Sequence, residues 1–139
     1  MGKINTMVDE GGHIPTRAHE HDAGADIYAV HDITLWPKSF DKVDVKVHVQ
    51  LKPGTFGLLT GRSSMAARGI TVAPGIIDTG YNGSLGVVLM NHSETKQYIK
   101  AGERIAQLLV IPCDTPEFVL VDHFEETERG DGGFGSSGR

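Results

Sequence analysis

The chain has 139 residues, enough for one domain with a modest core. Aromatic residues make up only 6%, so association with other copies is an ordinary source of further stability. A formal net charge of -5 excludes the basic stripe of a protein that lives on nucleic-acid backbones. The single cysteine, Cys113, excludes an intramolecular disulfide framework and a cysteine-rich zinc site. With no signal-like N-terminus and no run long enough to span a bilayer, the expectation is a soluble, cytoplasmic protein without membrane or nucleic-acid partners.

In chain order, short apolar runs at 27–30 and 33–35 read as strands. From 41 to 51, Val43, Val45, Val47, Val49 and Leu51 alternate with Asp44, Lys46, His48 and Gln50, the period of one half-buried strand. Further strands are predicted at 56–60, 84–90, 105–111 and 118–121, separated by Lys52-Pro53-Gly54, Ala73-Pro74-Gly75, Asn82-Gly83 and Ala101-Gly102 turns. Ser63 to Arg68 predicts one short helix, capped by Ser63 and stopped at Gly69. The pattern predicts an all-β, distorted antiparallel barrel of jelly-roll type, with one short helix. Glu125-Glu126-Thr127-Glu128 marks its expected boundary: a catalytic barrel at 1–124 and a flexible glycine-rich arm at 125–139.

Four stretches carry possible chemistry. Gly61-Arg62-Ser63-Ser64 sets a cation and two hydroxyls at the predicted helix start, which suits phosphate and equally suits a plain cap. Gly75-Ile76-Ile77-Asp78-Thr79-Gly80-Tyr81-Asn82-Gly83 sets a carboxylate between buried isoleucines and a glycine-rich turn, placed to polarise a water or simply to cap the turn. His19-Glu20-His21-Asp22 has ligand-type side chains but no third aimed ligand, and reads as a solvated loop. His13, His31, His48, His92 and His123 show no pairing in sequence. The last eleven residues, from Arg129 to Arg139, include five glycines, Phe134, Ser136 and Ser137. They read as an idle terminus or as a segment that orders over a planar, phosphorylated ligand. Arg129-Gly130-Asp131 also spells an adhesion tripeptide, rejected because the chain reads as intracellular.

Taken in order, Asp22-Ala23-Gly24-Ala25-Asp26-Ile27, the Arg62 and Asp78 stretches, Gly102-Glu103-Arg104-Ile105-Ala106-Gln107-Leu108 and the tail resemble the five motifs of the homotrimeric dUTP pyrophosphatases, a family with the β-clip fold. The resemblance extends from Asp22 to Gly138. It implies hydrolysis of dUTP to dUMP and pyrophosphate, with Mg2+ on the triphosphate, Asp78 activating the attacking water, and Asp26 holding the ion through its waters. It further implies that Arg62, Ser63, Ser64 and Gln107 bind phosphate and that Tyr81 packs under the deoxyribose. Gly75, Ile76, Ile77 and Gly86 would be substrate-binding positions, with the turn before Asp78 reading uracil through backbone groups. Arg129, Phe134, Gly135, Ser136 and Ser137 would close over the nucleotide, in sites shared between three subunits.

Two alternatives accompany it. The segment from Gly61 to Gly69 also resembles dCTP deaminases of the same fold, but their catalytic glutamate would fall at Val88, which moves no protons. A regulatory binding protein built on the same fold is the third reading, for which the sequence identifies no partner surface.

Overall fold

The computed structural model describes residues 2–135. Eleven strands and one helical turn follow one another: β1 (Asn5–Val8), β2 (Ala25–Tyr28), β3 (Ile33–Leu35), β4 (Phe40–Asp44), β5 (Val47–Gln50), β6 (Thr55–Thr60), α1 (Ser63–Ala66), β7 (Ile70–Val72), β8 (Gly75–Ile77), β9 (Gly86–Asn91), β10 (Gln97–Ile99) and β11 (Arg104–Pro112). All named pairs are antiparallel, in sheets ordered β2-β11-β6-β8, β4-β9-β7, β1-β5 and β10-β3. The sheets share one core, in which Ile27, Leu35, Val45, Leu59, Ile70, Leu89, Ile99 and Ile105 are almost wholly buried. The predicted all-β, distorted barrel-like architecture is thus observed, with open sheets in place of a closed cylinder. Truncating one of these residues to alanine would cost about 2–5 kcal/mol.

The single strand expected at 41–51 is two strands. Alternation holds throughout, since Val43, Val45, Val47, Val49 and Leu51 are all buried, but Lys46 takes a φ of 59° and its N–H donates to Asp44 Oδ1 at 2.8 Å. That Asx-type corner moves the chain from the β4-β9-β7 sheet to the β1-β5 pair without breaking the inward face.

The apolar run at 118–121 forms no strand: Phe118 and Leu120 are 97% and 99% exposed. β1, β7, β8 and β10, of three or four residues each, were not predicted. The helix is α1, but Arg62 stands at its N-cap with no side-chain cap bond, so Ser63 is not the cap; Gly69, at φ 82°, does end the segment. Among the described residues no helix is long and apolar enough to cross a membrane.

Candidate active site

The register of one sheet gathers three of the motifs. On β11, Gln107 pairs with Asp26 of β2 on one side and with Thr60 of β6 on the other. Thr60 leads directly into Gly61 and Arg62, so a carboxylate, an amide and a guanidinium meet at one end of the sheet. Arg62 Nε donates to Asp26 Oδ1 at 3.1 Å, and Arg62 Nη1 donates to Ser64 Oγ at 3.1 Å and to the Arg104 carbonyl at 3.2 Å. Gln107 Nε2 donates to the Gly61 carbonyl at 2.8 Å. Arg104 Nη1 lies 3.6 Å from Asp26 Oδ2, and the Asp26 side chain is only 16% exposed. Ser63 and Ser64 face solvent, ahead of the first N–H groups that bond within α1.

A β-bulge aims Gln107. The register of β11 shifts between Arg104 and Ala106, so Ile105 and Ala106 are buried in succession. Simple alternation from Ile105 would turn Gln107 inward; the extra residue turns it out toward Gly61. Gly24 completes the fit, because a Cβ there would collide with Gln107 Oε1.

The Asp78 turn lies elsewhere. β7 pairs with β9 and β8 with β6, so Ala73-Pro74 carries the chain from one sheet to another. Gly75, Ile76 and Ile77 form β8, an edge strand with one backbone edge unpaired. Ile77 enters the core while Ile76 is 60% exposed, so Asp78 is not flanked by two buried isoleucines as expected; alternation turns one of them outward. Beyond β8, Asp78, Thr79, Gly80 and Tyr81 form a turn closed by Tyr81 N–H to the Asp78 carbonyl at 3.2 Å, with Gly80 at φ 88°. Thr79 Oγ1 ties it to the Leu51 carbonyl at 2.9 Å. Tyr81 folds back over Gly83, where a Cβ would collide with its hydroxyl, and donates to the Ser84 carbonyl at 3.1 Å. Gly86 starts β9 opposite Asp44.

Because Ile77 pairs with Gly57, Asp78 stands level with Phe56, while Arg62 follows the opposite end of β6. At ~3.3 Å per residue, the six steps from Phe56 to Arg62 separate them by about 20 Å. The predicted residues therefore fall into two clusters: Asp26, Arg62, Ser63, Ser64 and Gln107 in one, Asp78, Tyr81 and Gly86 outside it. From the arm, Arg129 bonds the Gly132 carbonyl of its own turn and Phe134 is wholly exposed. Ser136 and Ser137 lie outside the described residues.

Sequence reasoning missed Arg104, quoted in a motif but given no role, and the partners of two histidines. His92 Nε2 meets Thr71 Oγ1 at 2.7 Å. His48 meets Asp9 and Asn82, separations of 39 and 34 residues that no local pattern reveals. His19 and Asp22 contact each other in an exposed loop, as expected of a solvated segment.

The family model of dUTPases matches residues 10–138. A deoxyuridine 5'-triphosphate nucleotidohydrolase of Nocardia farcinica is 44% identical over 135 residues, covering 94% of this chain and 82% of that protein. The fold matches the dUTPase of Staphylococcus bacteriophage 80alpha with dUPNHPP at a TM-score of 0.94 and 31% identity, over all of both chains. It also matches a mutant dUTPase from phage phi11 of S. aureus, described for its coordination of a structural Mg(II) ion, at a TM-score of 0.85 and 27% identity, over 90% of this chain and 100% of that one. With relatives aligned over nearly its whole length and the motif residues disposed on this sheet, the chain belongs to the dUTPase family.

Proposed function

We propose that the chain hydrolyses dUTP to dUMP and pyrophosphate. The observation that carries the reading is the β2-β11-β6 register, which gathers Asp26, Gln107 and Arg62 beside two exposed serine hydroxyls. An anionic chain of phosphates meets there a guanidinium, an amide and hydroxyls held before it arrives, so little reorganisation opposes binding. The free edge of β8 offers backbone donors and acceptors to a uracil edge, and Tyr81 gives a flat wall to the sugar.

Among the described residues no three His, Cys, Asp or Glu side chains gather to cage a metal. One carboxylate, already supported by two guanidinium groups, would suit a hydrated Mg2+, which needs few protein ligands of its own. Asp26 would hold it through a water; the ion would supply neutralisation of triphosphate charge. The chain's own residues do the rest. Asp78 accepts a proton from the water as its oxygen bonds the α-phosphorus. The bond from that phosphorus to the bridging oxygen breaks, and pyrophosphate leaves against Arg62, Ser63, Ser64 and Gln107.

This chemistry needs Asp78 and Arg62 on one triphosphate, and one chain holds them about 20 Å apart along β6 and its extension. A homotrimer with shared sites supplies the missing half from a neighbour. Phe118, Leu120 and Phe124, at 97%, 99% and 88% exposed, are apolar area of the kind that association covers. The arm would then close with Arg129, Phe134, Gly135, Ser136 and Ser137, using binding energy to order a glycine-rich segment and exclude water.

Asp78→Asn tests the reading. Pyrophosphate release from dUTP should fall about 10²- to 10⁴-fold, while a non-hydrolysable dUTP analogue still binds by calorimetry. A variant that keeps wild-type turnover removes Asp78 from its role, and ammonia from dCTP would overturn the activity.

A further inference from the structure

Both nitrogens of the His48 ring face oxygen acceptors. Nδ1 lies 2.8 Å from the Asn82 carbonyl and Nε2 lies 2.8 Å from Asp9 Oδ2. A carbonyl and an ionised carboxylate only accept, and a neutral imidazole has one donor. Either neutral tautomer would therefore set a ring lone pair against an oxygen lone pair; only the imidazolium satisfies both contacts.

Asn82 follows Tyr81 in the turn that presents Asp78. Side-chain bonds fasten this stretch to the body at three points: Thr79 to the Leu51 carbonyl, His48 to the Asn82 carbonyl, and Ser84 to Asp44. Asp9 is itself fixed, since its N–H donates to the Lys46 carbonyl at 2.9 Å. We propose that His48 is a positioning residue for the proposed base: as an imidazolium bridging Asp9 and Asn82 it holds the Asp78 turn in its working geometry, and its deprotonation loosens that turn.

The carboxylates around the ring favour this state. Asp9 faces it from beyond β1 and Asp44 from the β4-β5 corner, where Lys46 Nζ lies 3.8 Å from Asp44 Oδ2 and offsets part of that charge. The Asp9 hydrogen bond foremost, then the Asn82 carbonyl, hold the imidazole above its ordinary value of 6.5, against a smaller loss of hydration. A raised value means that the bridge is intact below pH 6.5 and is lost as pH rises through the folded value.

The inference rests on Asp78 as the base, and its test separates the two. In the nucleotide-free full chain, the His48 ring and the Asn82 and Gly83 amide resonances are followed against pH by NMR. They should titrate together, above 6.5. In parallel, kcat and KM for dUTP are measured across pH for wild type, His48→Gln and Asp9→Asn. Wild-type kcat should fall about 10-fold through the His48 midpoint, short of the 10²-fold that a 1 Å misplacement costs, with KM changed less. His48→Gln should show a lower kcat with no such step. In Asp9→Asn the amide donates to the neutral ring, Nδ1–H still holds Asn82, and the step should disappear with activity kept. A ring that titrates at 6.5 or below, amides that do not follow it, or a wild-type step in Asp9→Asn overturns the proposal. Failure of wild type to turn over dUTP overturns the reading of Asp78 alone, because the NMR titration needs no nucleotide.

Discussion

At the Gly61 end of β6, a carboxylate lies against two guanidinium groups and an amide bonds the Gly61 carbonyl, all within the chain; at the Phe56 end, Asp78 is exposed and its carboxylate takes no partner among the described residues. The first region is fixed by sheet register and a bulge, so its donors are aimed before any ligand arrives. The second is a short turn on the end of an edge strand, tied down by single hydrogen bonds. On the proposed reading, the first end would receive the phosphates and the second would present the base, with nothing of its own chain to act on.

The largest test of that contrast is complementation. Asp78→Asn and Arg62→Ala subunits should each be nearly inactive. Unfolded together in equal amounts and refolded, they should regain about a quarter of wild-type sites, the random chance that a neighbour pair supplies one intact Asp78 and one intact Arg62. Steady-state pyrophosphate release reads the outcome. If both residues served one site from one chain, mixing would restore nothing.

Asp26→Ala strikes the Gly61 end. It strips Arg62 Nε of its acceptor and leaves a largely buried guanidinium short of a partner, so kcat/KM for dUTP should fall about 10- to 100-fold, the worth of one charge-assisted hydrogen bond. Titration with Mg2+ at fixed dUTP separates two roles. A raised half-saturating concentration marks Asp26 as the holder of the hydrated ion, whereas an unchanged one leaves it a support for Arg62.

How legible each end was in sequence follows from the same contrast. Val43 to Leu51 announced its buried face correctly because alternation depends only on neighbours two apart. The corner at Lys46 was invisible, since Asp44 and Lys46 look alike in a strand and in a turn. Phe118 to Val121 has the composition of a strand but no partner within the described chain, and composition cannot say where a partner comes from. The five motifs named the proposed site residues one by one. That Asp26, Gln107 and Thr60 share one rung, and that a bulge at Ile105 turns Gln107 outward, are long-range facts of register. So is the distance from Asp78 to Arg62, which only the β6-β8 pairing reveals.

Gly24→Ala asks how finely the Gly61 end is fitted. The new methyl would collide with Gln107 Oε1 and lie 2.9 Å from its Cδ and 3.0 Å from its Cβ, so the amide must swing away, its 2.8 Å bond to the Gly61 carbonyl is lost, and the Gln107 stem must shift by a few tenths of an ångström. A loss of about 1 kcal/mol predicts a KM for dUTP about 5-fold higher, with kcat nearly unchanged. A fall in kcat at constant KM would mean that Gln107 acts on the transition state and not on binding alone.

The smallest effect probes the other end, through Ser84. Its hydroxyl donates to Asp44 Oδ1 at 2.5 Å and the Lys46 N–H donates to the same oxygen at 2.8 Å; in that order they hold the Asp44 carboxyl below its ordinary 3.8. A lowered value means that the stabilisation is present above pH 3.8 and is lost as pH falls through the folded value. Ser84→Ala should therefore lower Tm slightly at neutral pH, since Asp44 is half exposed and water competes for its charge. The difference should close as both proteins are acidified and Asp44 protonates in each. Thermal melts of the pair at stepped pH measure it. A gap that persists unchanged to about pH 2, below both titrations, would show that the hydroxyl supports the turn irrespective of the charge on Asp44, and would shift the proposed charge control of the Asp78 end onto His48.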